Sequence, residues 1–260
     1  MVTETKARHK KLLHHLLKEG AIDVELMAVD LGVSESTVRR GLRELESKGL
    51  LRRTHGGAVP VESSFYEPFR YDASFLQQEA VRSNEKRLIG LAAAELVSEG
   101  EIVAISAGTT ATQVARCLRH RSGITIVTNA VNIAMELSNC PGLTVISTGG
   151  VLSGSWFSLL GQSAIRTVEE FHYDWAFVGL DGIHASQGAT SNHQDEAALN
   201  RAMISHSRQA VAVADHSKLN IIARSHVCQL SDISLLVTDD SADAGCLDEF
   251  VLRGLQVRVV

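Results

Sequence analysis

The chain has little of what builds stapled, membrane-spanning or fibrous proteins. Three prolines and two tryptophans stand among 260 residues, and aromatic residues make up only 5%. The cysteines, Cys117, Cys140, Cys228 and Cys246, are scattered, with no CxxC pair and no His at ligand spacing. No disulfide framework and no metal are expected, and reduced thiols suit a cytoplasmic protein. No apolar run approaches the roughly 20 residues that span a bilayer, so no membrane partner is expected. The first residues, MVTETKARHKKLL, carry charges but no apolar stretch before a small-residue cleavage site. No secretory signal is expected there. His14 and His15 are neighbours and face different sides of a helix, while His184, His193, His206 and His216 are spread without ligand spacing.

What is present is ordinary globular material, 45% hydrophobic and 21% charged. The charge is uneven along the chain. Residues 1–59 hold 11 Lys/Arg against 8 Asp/Glu, whereas residues 60–260 hold 14 against 22. A basic head on an acidic body suggests that the head meets a polyanion.

In the head, KARHKKLLHHLLK reads as a basic helix with Leu12, Leu13, Leu16 and Leu17 on one stripe. Asp23 can cap a short second helix that stops at Gly32. Ser34 can cap a third, ESTVRRGLRELESKG, ended by Gly49. A Gly-containing turn between two helices, the second rich in Arg, is a helix-turn-helix pattern. With Val38, Leu42 and Leu45 buried, Ser36, Thr37, Arg39, Arg40 and Arg43 project outward beside Ser34. There Arg can pair with guanine or grip phosphate. The following LLRRTHGGAV suits a hairpin or wing, from which Arg52, Arg53 and His55 could hold the DNA backbone.

Residues 60–80 hold two of the three prolines and several aromatics but no sustained periodicity, and read as a linker that packs partly on its surroundings. From residue 81 apolar strands alternate with helices, which implies a mainly parallel sheet covered on both faces. Strand ends in such a sheet gather on one rim. Ser106, Gly108, Thr109 and Thr110 follow the strand EIVAIS and open a helix, the arrangement that cradles anions. Thr128 and Asn129 end the next strand, and Gly149 and Gly150 the one after. Asp181 follows WAFVGL, Asp215 and Lys218 follow QAVAVAD, and Glu196 opens a helix. These residues are the expected effector contacts. Trp156 and Phe157 could cover the pocket or simply pack.

The string VSESTVRRGLRELESKGLLRRTHGGA resembles the N-terminal signature of the DeoR/GlpR family of bacterial transcriptional regulators. The likeness continues through Glu85-Lys86, AGTT, VTN, Gly149-Gly150 and DHSK. It implies a small winged helix-turn-helix followed by a larger α/β sensor domain resembling the sugar-phosphate isomerase fold. It also implies a homo-oligomeric repressor of a carbohydrate-metabolism operon. Its partners would be double-stranded operator DNA and a phosphorylated sugar or related metabolite, with no cofactor and no catalysis. The alternative is a sugar-phosphate isomerase carrying an accessory DNA-binding domain. Three positions depart from the family pattern: Gly41 and Ser106 each stand where Asp is usual, and Asn200 where Lys is common.

Overall fold

The computed structural model describes residues 2–47, 50–60, 73–153 and 156–260. The chain forms two compact units, Met1–Ser64 and Phe65–Val260.

The first unit contains helices α1 (Val2–Glu19), α2 (Val24–Leu31) and α3 (Glu35–Ser47), with short strands β1 (Ile22–Asp23), β2 (Arg52–Arg53) and β3 (Gly57–Val59). Leu12, Leu13 and Leu16 bury against Val38, Leu42 and Leu45, joined by Met27, Leu51 and Ala58. α2 starts where Asp23 Oδ1 accepts the N–H groups of Glu25 and Leu26 at 2.9 and 3.0 Å. It stops where Gly32 takes a φ of 63°. α3 opens on Ser34, whose hydroxyl accepts the Thr37 N–H at 3.3 Å. Gly49, expected to end α3, lies outside the described residues. The wing is an antiparallel sheet in the order β1-β3-β2. At Gly57 a Cβ would meet the Ile22 carbonyl oxygen at 1.6 Å, so only glycine lets β3 lie against β1.

The second unit begins with α4 (Ala73–Ala80) and α5 (Ser83–Ala94). Then come β4 (Ile102–Ile105), α6 (Thr109–Leu118), β5 (Ile124–Thr128), α7 (Val131–Leu137) and β6 (Leu143–Ser147). A hairpin of β7 (Val151–Ser153) and β8 (Ser158–Leu160) leads to α8 (Gln162–Glu169) and β9 (Tyr173–Gly179). Next are β10 (Gly182–His184), β11 (Gly188–Ser191), α9 (Gln194–Ser205), β12 (Ser207–Val213) and β13 (Ser225–Cys228). The chain closes with β14 (Leu235–Thr238), α10 (Ala244–Leu252) and β15 (Gln256–Val259).

Seven strands form one parallel sheet in the order β15-β14-β12-β9-β4-β5-β6. Its central strands carry Val103, Ala104, Ile105, Ala176, Phe177 and Val178, all buried, as a sheet covered on both faces requires. The chain first winds outward from β4 to β6, then returns to β9 and winds the other way. The order therefore reverses between β4 and β9, and a crevice opens outside their carboxyl ends.

Three features depart from the sequence reading. Within the stretch expected as a partly packed linker, residues 73–80 form a helix, α4, that was not expected; its Phe75 is fully buried with an edge-on contact to Phe157 at 5.1 Å. The β7–β8 hairpin and the antiparallel sheet β10-β11-β13 were not expected either. These strands have three or four residues each, too short to show alternation, and all of β11 is buried.

Candidate functional site

On the first unit, Ser34, Ser36, Arg39, Arg40, Arg43, Arg52, Arg53 and His55 are exposed and Thr37 is half-buried. Ser34 Oγ lies 2.9 Å from both Ser36 Oγ and Thr37 Oγ1, so these hydroxyls first of all close the turn into α3. Arg39 pairs with Glu35 one turn earlier at 2.9 Å. Arg53 is tied to Glu46 twice, through its backbone N–H at 3.0 Å and its Nε at 2.6 Å. Those bonds hold the Glu46 carboxyl below its ordinary pKa. Arg40, Arg43 and Arg52 form no ion pair among the described residues, which leaves three guanidinium groups on α3 and the wing for a polyanion.

On the second unit, a cavity of about 280 Å³ opens at the carboxyl ends of β4 and β9. One part of its lining is cationic. Gly108, Thr109 and Thr110 present the start of α6, which no side chain caps among the described residues, so its positive end faces the cavity. Lys218 approaches from the turn after β12. Arg82 and Lys86 come from the start of α5. Lys86 is only 4% exposed and donates to the Gln78 carbonyl. Burial pulls its pKa below the ordinary lysine range, with the Asp215 carboxylate pulling the other way.

Another part is acidic. Asp181 Oδ2 accepts from Ser191 Oγ at 3.1 Å and from the Asn192 N–H at 2.7 Å. Glu196 lies 3.4 Å from the same serine hydroxyl, and burial, aided by nearby Asp181, raises its pKa. Asp215 faces the cavity too, although its Oδ1 already accepts the Ser217 N–H at 3.1 Å. Asn129 lines the wall with a fully engaged amide group. It donates to Ser158 Oγ at 2.9 Å and accepts the Ala107 N–H at 3.0 Å, fixing the loop that opens α6.

Eight expected contacts thus share this cavity: Gly108, Thr109, Thr110, Asn129, Asp181, Glu196, Asp215 and Lys218. Four do not line it. Ser106 is buried and its hydroxyl accepts the Gly179 N–H at 2.9 Å. The Thr128 hydroxyl donates to the Ile105 carbonyl at 2.7 Å and accepts the Ala130 N–H at 3.1 Å. Gly149 and Gly150 follow β6 at the sheet's edge and turn into β7. Trp156 lines the cavity, whereas Phe157 is buried against Phe75. Sequence reasoning missed Arg82 and Lys86 as contacts. The signal was there for Lys86, which occupies the apolar stripe Lys86-Ile89-Gly90-Ala93 of α5, a place where a lysine needs a reason.

Among known proteins, residues 8–64 match the family described as DeoR-like helix-turn-helix domain, and residues 81–240 the one described as DeoR C terminal sensor domain. The HTH-type transcriptional regulator GlpR of Haloferax volcanii is 34% identical over 250 residues, covering 96% of this chain and 96% of that protein. The glycerol-3-phosphate regulon repressor of Escherichia coli K12 is 29% identical over 232 residues, covering 89% and 90%. Ribose 5-phosphate isomerase A from Neisseria gonorrhoeae aligns with a TM-score of 0.38 at 18% identity, over 56% of this chain and 55% of that one. That likeness is too slight to carry an argument about the site.

Proposed function

The chain belongs to the DeoR family of helix-turn-helix transcription regulators, and from that premise we propose that it represses a carbohydrate-metabolism operon and leaves its operator when a phosphorylated sugar-type metabolite fills the cavity. The observation that carries this reading is the division of the lining. Arg82, Lys86, Lys218 and the uncapped start of α6 suit a phosphate, while Asp181 and Glu196 accept hydroxyl hydrogens. The repressor named for the glycerol-3-phosphate regulon supports both the repression and the phosphate.

In this proposal residues 1–59 read DNA, 60–80 connect and 81–260 sense, with Gln78 of the connecting stretch also lining the cavity. The DNA contacts are Ser34 at the turn into α3, Ser36, Thr37, Arg39, Arg40 and Arg43 on α3, and Arg52, Arg53 and His55 on the wing. One copy reads one half-site, so the working form is a cytoplasmic homo-oligomer that offers two. Among the described residues no helix is long and apolar enough to cross a membrane.

A second reading, isomerase with a DNA-binding appendage, is favoured only by Glu196, a carboxyl kept protonated more readily than usual and able to move a proton. One paired experiment separates the two. The full chain is mixed with DNA from upstream of its own gene and the neighbouring genes, then with a panel of sugar phosphates. A repressor binds that DNA and releases it with one member of the panel. The same compound, at about 100 times its dissociation constant, adds roughly 2.7 kcal/mol of stability. Turnover of a sugar phosphate with no effect on bound DNA would establish the isomerase instead.

A further inference from the structure

We propose that Asp239 and His216, neither of which lines the cavity, aim Arg82 at the effector's anionic group. They are positioning residues for binding, and the inference rests on the anion-site reading above.

The turn after β12 holds His216 by two bonds to one carboxylate. Its backbone N–H donates to Asp239 Oδ2 at 2.7 Å, and its Nδ1 lies 2.7 Å from Asp239 Oδ1. An ionised carboxylate only accepts, so Nδ1 carries a hydrogen, and Nε2 accepts because the guanidinium facing it can only donate. Arg82 Nε donates to that lone pair at 3.2 Å. Asp239 is itself fixed, being 1% exposed and accepting the Ser241 N–H at 3.2 Å.

The chain Asp239–His216–Arg82 therefore anchors the guanidinium through Nε. Its two terminal amino groups are what remain for the cavity that Arg82 lines. Asp215 Oδ1, 3.8 Å from the same Nε, is a looser second tie. The backbone gives an independent sign. Arg82 has a φ of 54°, the left-handed region that a residue with a Cβ rarely adopts. Strain of this kind persists where surrounding structure enforces it, and it gathers at ligand-holding sites. Here it places the α4–α5 junction so that Arg82 reaches both His216 and the cavity. A solvated surface arginine needs neither the strain nor the histidine.

The test is calorimetric titration of inorganic phosphate into the full chain at one fixed pH, with the thermal midpoint of each variant recorded. His216→Ala is expected to weaken phosphate about tenfold, the scale of one well-directed bond to a charged group. His216→Gln can offer Oε1 near the position of Nε2 and is expected to restore most of the affinity. Asp239→Asn can donate to Nδ1, moving the ring hydrogen to Nε2 against Arg82, and is expected to weaken binding like His216→Ala. In an Arg82→Ala background, His216→Ala should have no further effect. Wild-type affinity in His216→Ala, failure of Gln to rescue, or additive losses in the double variant would overturn the positioning role. If wild type itself takes up no phosphate, or if Arg82→Ala and Lys86→Met bind it unchanged, the anion site falls as well.

Discussion

Ser106 Oγ accepts the Gly179 N–H at 2.9 Å, joining the ends of β4 and β9 across the point where the strand order reverses. The same hydroxyl donates to the Ala107 carbonyl at 3.1 Å, and the residue is 1% exposed. Its chemistry is turned toward the backbone that shapes the cavity.

Ser106→Ala should therefore act first on stability. It leaves the half-buried Gly179 N–H, which borders the cavity, without its acceptor, at about 1 kcal/mol. For a unit of this size that lowers the thermal midpoint by roughly 2–4 °C. Thermal denaturation of the effector-free protein measures it. An unchanged midpoint together with altered sugar preference would place the hydroxyl against the ligand instead.

The parallel sheet was legible because each core strand is an apolar run bounded by turn residues, as in Ile102–Ile105 and Tyr173–Gly179. The rim residues Gly108, Asp181, Asp215 and Lys218 were legible for the same reason, since parallel strands bring their ends together. Direction was not. Sequence places Ser106 and Thr128 at strand ends without telling that both hydroxyls close backbone bonds. Nor does it tell that β6 is an edge strand, with β5 between it and the crevice, which is why Gly149 and Gly150 lie apart. Arg82 escaped because it enters from a helix start, where a basic residue by itself reads as solvated, whereas Lys86 was legible from its place in the apolar stripe of α5.

Lys86 links anion binding to pH. Its folded pKa is depressed by burial, so between that value and the ordinary lysine pKa the unfolded chain holds more protons. Stability of the empty protein therefore rises with pH through that window. A bound anion favours the charged form, so binding takes up a proton there and weakens as pH rises. Phosphate affinity measured across the alkaline range should begin to fall before free lysine titrates. Lys86→Met should abolish that slope and most of the phosphate binding, with little loss of thermal midpoint. An unaltered slope in Lys86→Met would assign the proton to another group.

Gly41, one of the departures from the family pattern, is a packing position and not a DNA contact. It is buried beneath α1, where an added Cβ would lie 3.1 Å from Leu12 Cδ1 and 3.7 Å from the His9 ring. Alanine would gain about 1 kcal/mol of helix propensity. Crowding a fully buried leucine costs about 1–3 kcal/mol. Gly41→Ala should thus be destabilising by about 1 kcal/mol in chemical denaturation. Operator affinity at low temperature should stay at wild type, and a selective loss of one operator sequence would contradict the packing role.

The four arginines tested most readily on DNA should not behave alike, because two of them already have partners. Arg53 ties the wing to α3 through Glu46 by a backbone N–H that alanine keeps and an Nε bond that it loses, so Arg53→Ala should lower the thermal midpoint only slightly while weakening every DNA sequence. Arg39 is held by Glu35, in an exposed pair of the kind worth about 0–1 kcal/mol. Arg39→Ala should leave stability nearly unchanged. Arg43 and Arg52 have no ion pair to lose among the described residues, so their truncation reports DNA contacts alone. If Arg43 reads a base, Arg43→Ala should cost about 1–3 kcal/mol on the operator and relax preference at one position. If Arg52 grips phosphate, Arg52→Ala should weaken all sequences equally and reduce the salt slope by about one counterion. Gel shifts at several salt concentrations, on operator and on scrambled DNA, separate these outcomes. Wild-type binding in all four variants would remove α3 and the wing from the DNA interface.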